Sequence, residues 1–216
     1  MRPEVRMMST RWIRFALAIA VLATSLAVHP SSAADDASAL SPITPVPSRE
    51  PIVAYNRWAW FKDTYWIVPQ NGIYSVFHSQ ESNTFTVAQG QTVFHLTDYF
   101  NGYFTGAVVV KLTRALVPTC QFVLGQVTPE GSVYMTMYDA EDGTVTNTPL
   151  GTMVRKGGQW TMVNQMTGPA AGGTLSHWAY MIQSKPGDRS FENLPFAHES
   201  IPEFMSACPP GPTIQR

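Results

Sequence analysis

Among residue types that carry chemistry, this chain holds five histidines and two cysteines. His78, His95, His177 and His198 stand far apart, outside the HxxxH and HExxH spacings that set two imidazoles on one metal. His95 and Asp98 come nearest to a general base with an orienting carboxylate. On a regular strand, residues three apart point to opposite faces, so the two do not meet unless a bulge intervenes. No GxSxG nucleophile elbow and no phosphate-cradling glycine loop occurs. These residues predict no catalytic set, no metal site and no cofactor.

Cys120 and Cys208 remain. A redox pair normally sits close together as CxxC, and a zinc site wants more ligands at short spacing. An even cysteine count in an exported chain favours a disulfide instead. The expectation is a Cys120–Cys208 bond that clips the C-terminal segment to the body.

Export is read from the start of the chain. Arg11 and Arg14 precede an uncharged run from Phe15 to Val28, followed by small residues that include Ser31 and Ala33. A basic start, a short apolar stretch and a small-residue cut site make a signal peptide, expected over residues 1–33. A membrane-spanning helix needs about 20 apolar residues, more than this run supplies. Met7 and Met8 are alternative starts that leave a more compact signal. Cleavage after Ala33 removes Arg2, Arg6, Arg11, Arg14 and Glu4, taking the formal net charge from −1 to −4. The expected location is the bacterial periplasm or the exterior, with no integral membrane segment left after cleavage.

The elements that must position these residues are strands. Charged residues are 13% of the chain, against roughly 25% in an average soluble domain. Aromatics are 12%, beside 17 prolines and 15 glycines. That balance excludes a disordered charged tail and a coiled coil. The absence of a basic excess argues against a nucleic-acid partner. Residues 34–57 read as a linker, with Pro42, Pro45, Pro47 and Pro51 among small residues. The aromatics Trp58, Trp60, Phe61, Tyr65 and Trp66 open a single domain over 58–216, most simply by plugging one end of it.

Short alternating runs then follow one another. They lie at 73–78, 84–87, 92–99, 103–112, 120–127, 132–139, 144–155, 159–166 and 174–184. Asn101-Gly102, Pro129-Glu130-Gly131, Glu141-Asp142-Gly143 and Gly157-Gly158 turn the chain between them. Short turns make antiparallel hairpins, and a long meander can close on itself. The fold class predicted is all-β, an up-and-down barrel of about eight strands in the lipocalin or avidin style. A two-sheet sandwich is the alternative. One short helix is expected after Ser200, with Pro202 in its first turn and Phe204 facing inward.

Alternation sorts the side chains. Residues 160–184 contain no Asp, Glu, Lys or Arg, so one face there is covered or meets a ligand or another subunit. A candidate pocket is drawn from Phe104, Met135, Met137, Trp160, Met162, Trp178 and Tyr180, with Asn164 orienting a ligand. The plainer expectation is that these residues fill the barrel themselves. Three functions follow. One is an exported, non-enzymatic barrel that binds a small apolar or uncharged ligand. Another is an envelope interaction protein that forms a homo-oligomer. The third is a secreted hydrolase.

The stretches QTVFHLTDYFNGYFTG (91–106), GQVTPEGSV (125–133), GQWTMVNQM (158–166), HWAYMIQ (177–183) and IPEFMSAC (201–208) resemble a group of small exported proteobacterial proteins without an assigned activity. The resemblance implies a shared fold and an envelope or extracellular setting. It implies no substrate and no catalytic residue. The likeness to lipocalins and avidins is one of architecture.

Overall fold

Ten antiparallel strands make up most of the regular structure in the computed structural model, which describes residues 52–216 except Arg114, Leu116 and Ala171. The expected signal peptide and the linker as far as residue 51 lie outside the described residues. The strands are β1 (Thr64–Ile67), β2 (Tyr74–Ser79), β3 (Thr84–Phe100), β4 (Tyr103–Leu112) and β5 (Thr119–Val127). They continue as β6 (Ser132–Asp139), β7 (Val145–Asn147), β8 (Leu150–Lys156), β9 (Gln159–Ala170) and β10 (Gly173–Ser184).

Neighbours in sequence pair as hairpins, in the order β2-β3-β4-β5-β6-β8-β9-β10, and β10 pairs back onto β2. The meander is thus an eight-membered ring, and the all-β, barrel-like expectation holds. Turn chemistry explains the hairpins. Asn101 (φ 47°) and Gly102 (φ 88°) both take the left-handed conformation that a type I′ turn requires.

The ring has one irregular position. Between β3 and β10 the slot is shared by β1 and β2, which run in the same direction. Residues 68–73 interrupt them, with a 3₁₀ turn at Gln70–Gly72. Buried Gln91 holds this break together. Its Nε2 donates to the Val68 carbonyl at 2.9 Å, and its Oε1 accepts from the Phe196 N–H at 3.2 Å. In the sequence β1 is hidden within the aromatic cluster, and its pairing with β3 defines it as a strand. The runs at 84–87 and 92–99 are one 17-residue strand. Gly90 between them serves close approach to Leu112 rather than a turn, because a β-carbon there would crowd the Leu112 side chain.

The barrel is filled from within and from one end. The 3₁₀ helix Ile52–Phe61 brings Trp58 and Phe61 into the interior. There they meet Trp160 (ring centroids 4.9 Å from Trp58) and Phe104 (5.5 Å from Phe61). The Trp58 indole N–H donates to the Thr128 carbonyl at 2.8 Å, so its one polar atom is satisfied as the ring is buried. Arg57, within the expected linker, donates to the Pro129 carbonyl at 3.0 Å, so contacts with the body begin before residue 58.

A second apolar cluster lies outside the ring. Phe191, Leu194, Ile201 and Phe204 of the C-terminal segment cover Ile67, Val93 and Val109. Phe191 is carried by a short helix α1 (Arg189–Glu192), Ile201 and Phe204 by α2 (Ile201–Met205), and Leu194 lies between the two. Ser200 caps α2 by accepting from the Glu203 N–H at 3.3 Å. The Cys120–Cys208 disulfide joins this segment to β5 across 88 residues of chain, with 5.2 Å between α-carbons.

Four strands run on past their neighbours. Residues 84–89 of β3 extend beyond the last pairing with β4, and residues 166–170 of β9 extend beyond the last pairing with β8. With β2 and the start of β10 they form a sheet in the order β3-β2-β10-β9. We call it the extension.

Candidate functional site

The candidate pocket residues do not all come together. Phe104, Met135, Met137, Met162 and Asn164 point inward and are buried. Trp160 is half-buried at the plugged end. Trp178 and Tyr180 are on the opposite, outer face of β10. Trp178 is 63% exposed, and the Tyr180 ring lies 5.8 Å from the Lys156 ammonium. Register is the reason. Met181 stands opposite Met162 and Ala179 opposite Asn164, and cross-strand partners share a face. Met181 and Ala179 therefore enter the core, and Trp178 and Tyr180 face outward with their partners Gln165 and Val163. Both faces of β10 are apolar, so alternation along that strand alone could not orient it.

What the interior leaves open is small. A cavity of about 30 Å³ lies between Val68, Thr92, Met137, Asn164, His177 and Met181. That is room for one or two waters and far below a usual ligand site. The Asn164 amide donates to the Met181 sulfur at 3.3 Å, and its Oδ1 is a buried acceptor without a partner. Opposite it on β8, Gly151 leaves the room that this oxygen needs. His177 was not among the expected pocket residues. Its Nε2–H donates to the Gly72 carbonyl at 3.1 Å, where the slot between β1 and β2 opens. Burial pushes the His177 imidazole below its usual pKa, although the bond to Gly72 works the other way.

A bulge between Leu96 and Asp98 does intervene in β3, and it turns His95 and Asp98 to the same face. They still do not form a dyad. The His95 ring stacks on Tyr65 with centroids 4.1 Å apart. Its pKa is lowered by burial, which Asp63 partly offsets. Asp98 accepts from the backbone N–H groups of Tyr99 (2.9 Å) and Ile214 (3.2 Å) and from Arg216 Nη2 (3.1 Å). Lys62 stands 3.7 Å away. Burial would raise this carboxyl, but the hydrogen bonds and the two cations outweigh it and hold the group below its usual range. Asp98 is thus an anchor for the C-terminal residues. Among the described residues, no cluster of three or more His, Cys, Asp or Glu side chains is placed to hold a metal. No described helix is long and apolar enough to cross a membrane.

The unusual surface is the outer face of the extension. Phe85 and Val87 of β3 stand opposite His78 and Val76 of β2, and Val76 stands opposite Ser176 of β10. Tyr74 and Trp178 complete the face. Phe85 is 73% and Val87 70% exposed. An open groove of about 480 Å³ runs between Tyr74, Val76, Val87 and Trp178, and Gln165 and Ser176 also line it. Residues 74–89 and 165–180 contain one charged side chain, Glu81, in the hairpin turn. Of the residues on this face, only Trp178 is among the candidate pocket residues, and there it is expected inside the barrel. The available signal was that Phe85 and Val87 alternate with threonines, so neither strand face is charged.

Taken together, ring, plug and disulfide define a filled, clipped eight-membered β-barrel with an uncharged sheet extending from it. Comparison of the chain with protein-family models, curated proteins and solved structures returns no match.

Proposed function

We propose that this is an exported, non-enzymatic β-barrel protein of the bacterial envelope that acts through its surface, as an interaction protein, with the extension as its contact face. One contrast carries the reading. The cavity found inside the barrel is only about 30 Å³, while Tyr74, Val76, Phe85, Val87 and Trp178 are exposed together on one almost uncharged face. Scattered surface hydrophobics are ordinary, but a contiguous apolar patch marks a contact site. The disulfide supports an oxidising compartment.

The groove between Tyr74 and Trp178 favours a second reading, in which a small uncharged ligand lies on this face rather than inside the barrel. Native mass spectrometry of the mature protein, purified from its own envelope fraction, tests both. A multiple of the chain mass, or a complex with another chain, that is lost with Val76→Glu supports the interaction reading. A stoichiometric small molecule lost with Trp178→Ala supports the ligand reading. A bare monomer overturns both.

A further inference from the structure

The extension ends on a strand edge that no described strand pairs with, and the direction of its backbone groups can be worked out. The Gln89 carbonyl accepts from the Thr113 N–H at 2.8 Å, on the side of β3 away from β2. The Gly90 N–H donates to the Ile73 carbonyl at 2.9 Å, towards the β2 side. Backbone groups alternate sides along a strand. The N–H and C=O groups of Phe85 and Val87 therefore point the same way as those of Gln89, off the edge. Among the described residues, no strand pairs with them there.

Natural sheets guard such edges with lysines, prolines, bulges or a covering segment. Residues 82–97 contain no charged side chain and no proline. β2 and β3 pair from Ser79–Thr84 to Tyr74–Gln89 without a register shift.

Resting on the reading of the extension as an interaction surface, we propose that its partner is a second copy of this chain, joined by antiparallel pairing of the two β3 edges about Thr86. In this register Phe85 of each copy faces Val87 of the other. The two residues exchange both backbone hydrogen bonds, making four bonds across the two-fold axis. Each Phe85–Val87 pair is also an aromatic–β-branched cross-strand contact on the outer face. Self-pairing sets the segment against itself, so any charge in it would meet its own sign nearby. An uncharged segment avoids that penalty. The pairing takes five residues from each copy and stops before Gln89, where Thr113 closes the edge. It buries on the order of 400 Å² per copy, about half of a standard stable interface. The dimer is therefore concentration-dependent.

Sedimentation velocity of the disulfide-bonded mature chain, from micromolar to millimolar, tests this. The wild type should shift from monomer to dimer. Val87→Pro removes an N–H that β2 does not use, and it should weaken dimerisation roughly 10- to 30-fold through two lost hydrogen bonds. Leu124→Glu, exposed on β5 outside the extension, should leave dimerisation unchanged, and Trp178→Glu tests whether the contact lies on the face of the extension instead. If Val87→Pro fails to fold, Val87→Lys replaces it, and amide exchange in the wild type provides the second readout. The Phe85 and Val87 amides should be protected when concentrated and exchange freely on dilution. A monomer throughout, or exchange independent of concentration, overturns the dimer. The broader interaction reading then still rests on the mass of the envelope-purified protein. A dimer lost with Trp178→Glu but kept with Val87→Pro overturns the edge register and moves the contact onto the face.

Discussion

The Phe104 ring occupies the space in which a β-carbon on Gly125, its cross-strand partner on β5, would stand. Phe104 is fully buried and touches the plug through Phe61. The glycine lets an aromatic ring lie close to the strand backbone at the centre of the barrel. Gly125→Ala should force that ring into the plug and cost roughly 1–3 kcal/mol by overpacking. Urea unfolding of the variant against the wild type measures it. An unchanged midpoint would mean that the ring moves aside freely.

Asn164 offers a contrasting case. Its Oδ1 is buried without a partner, so much of what its amide gains inside the barrel is offset by desolvation. Asn164→Leu keeps a similar shape and removes the unpaired acceptor. It should be neutral within about 1 kcal/mol, or stabilising. A loss of several kcal/mol would show that Asn164 makes a contact in solution that the filled interior does not reveal. Binding to an internal water or ligand would be the first explanation to test.

Much of the fold was legible in the residues because local chemistry sets it. Asn101-Gly102 can supply two left-handed positions in a row, and Ser200 with Pro202 can start only a helix or a turn. The clip was legible because two cysteines allow only one intramolecular pairing. What stayed hidden depends on register between distant segments. Trp178 and Met181 sit on equally apolar faces of β10, and only pairing with Met162 and Asn164 decides which goes inside. β1 was obscured because its four residues fall within an aromatic run, and the ladder with Val93–Leu96 defines it. The partners of Asp98 in the C-terminal residues carry no periodic signal at all.

Opening the Cys120–Cys208 bond should loosen the C-terminal segment more than the ring. The bond closes a loop of 88 residues, and removing such a clip typically costs about 2–4 kcal/mol. The ring keeps its own interior cluster, whereas Phe191, Leu194, Ile201 and Phe204 belong to the outer one. In the Cys120→Ser/Cys208→Ser double variant, amide exchange should speed up first over residues 189–208. Uniform acceleration through the ring strands would mean that the two clusters unfold as one unit.

Stability should also fall with acid, through His177 and His95. Both are held below the usual histidine pKa of about 6.5, chiefly by burial. Between the folded pKa and about 6.5, the unfolded chain binds more protons than the folded one. Unfolding then becomes easier as pH drops through that window, and the dependence levels off below the folded pKa. Of the two, His177 is the more enclosed, at the edge of the interior cavity with its Nε2–H on the Gly72 carbonyl. Protonating it would put a charge beside Met181 and Ala179, in a cavity whose lining contains no carboxylate. His177→Gln keeps a hydrogen-bond donor but cannot titrate. Between pH 7 and pH 5 it should lose less stability than the wild type, as read by urea midpoints at each pH. If the variant and the wild type decline in parallel, His177 binds protons equally in both states and the acid sensitivity belongs to His95.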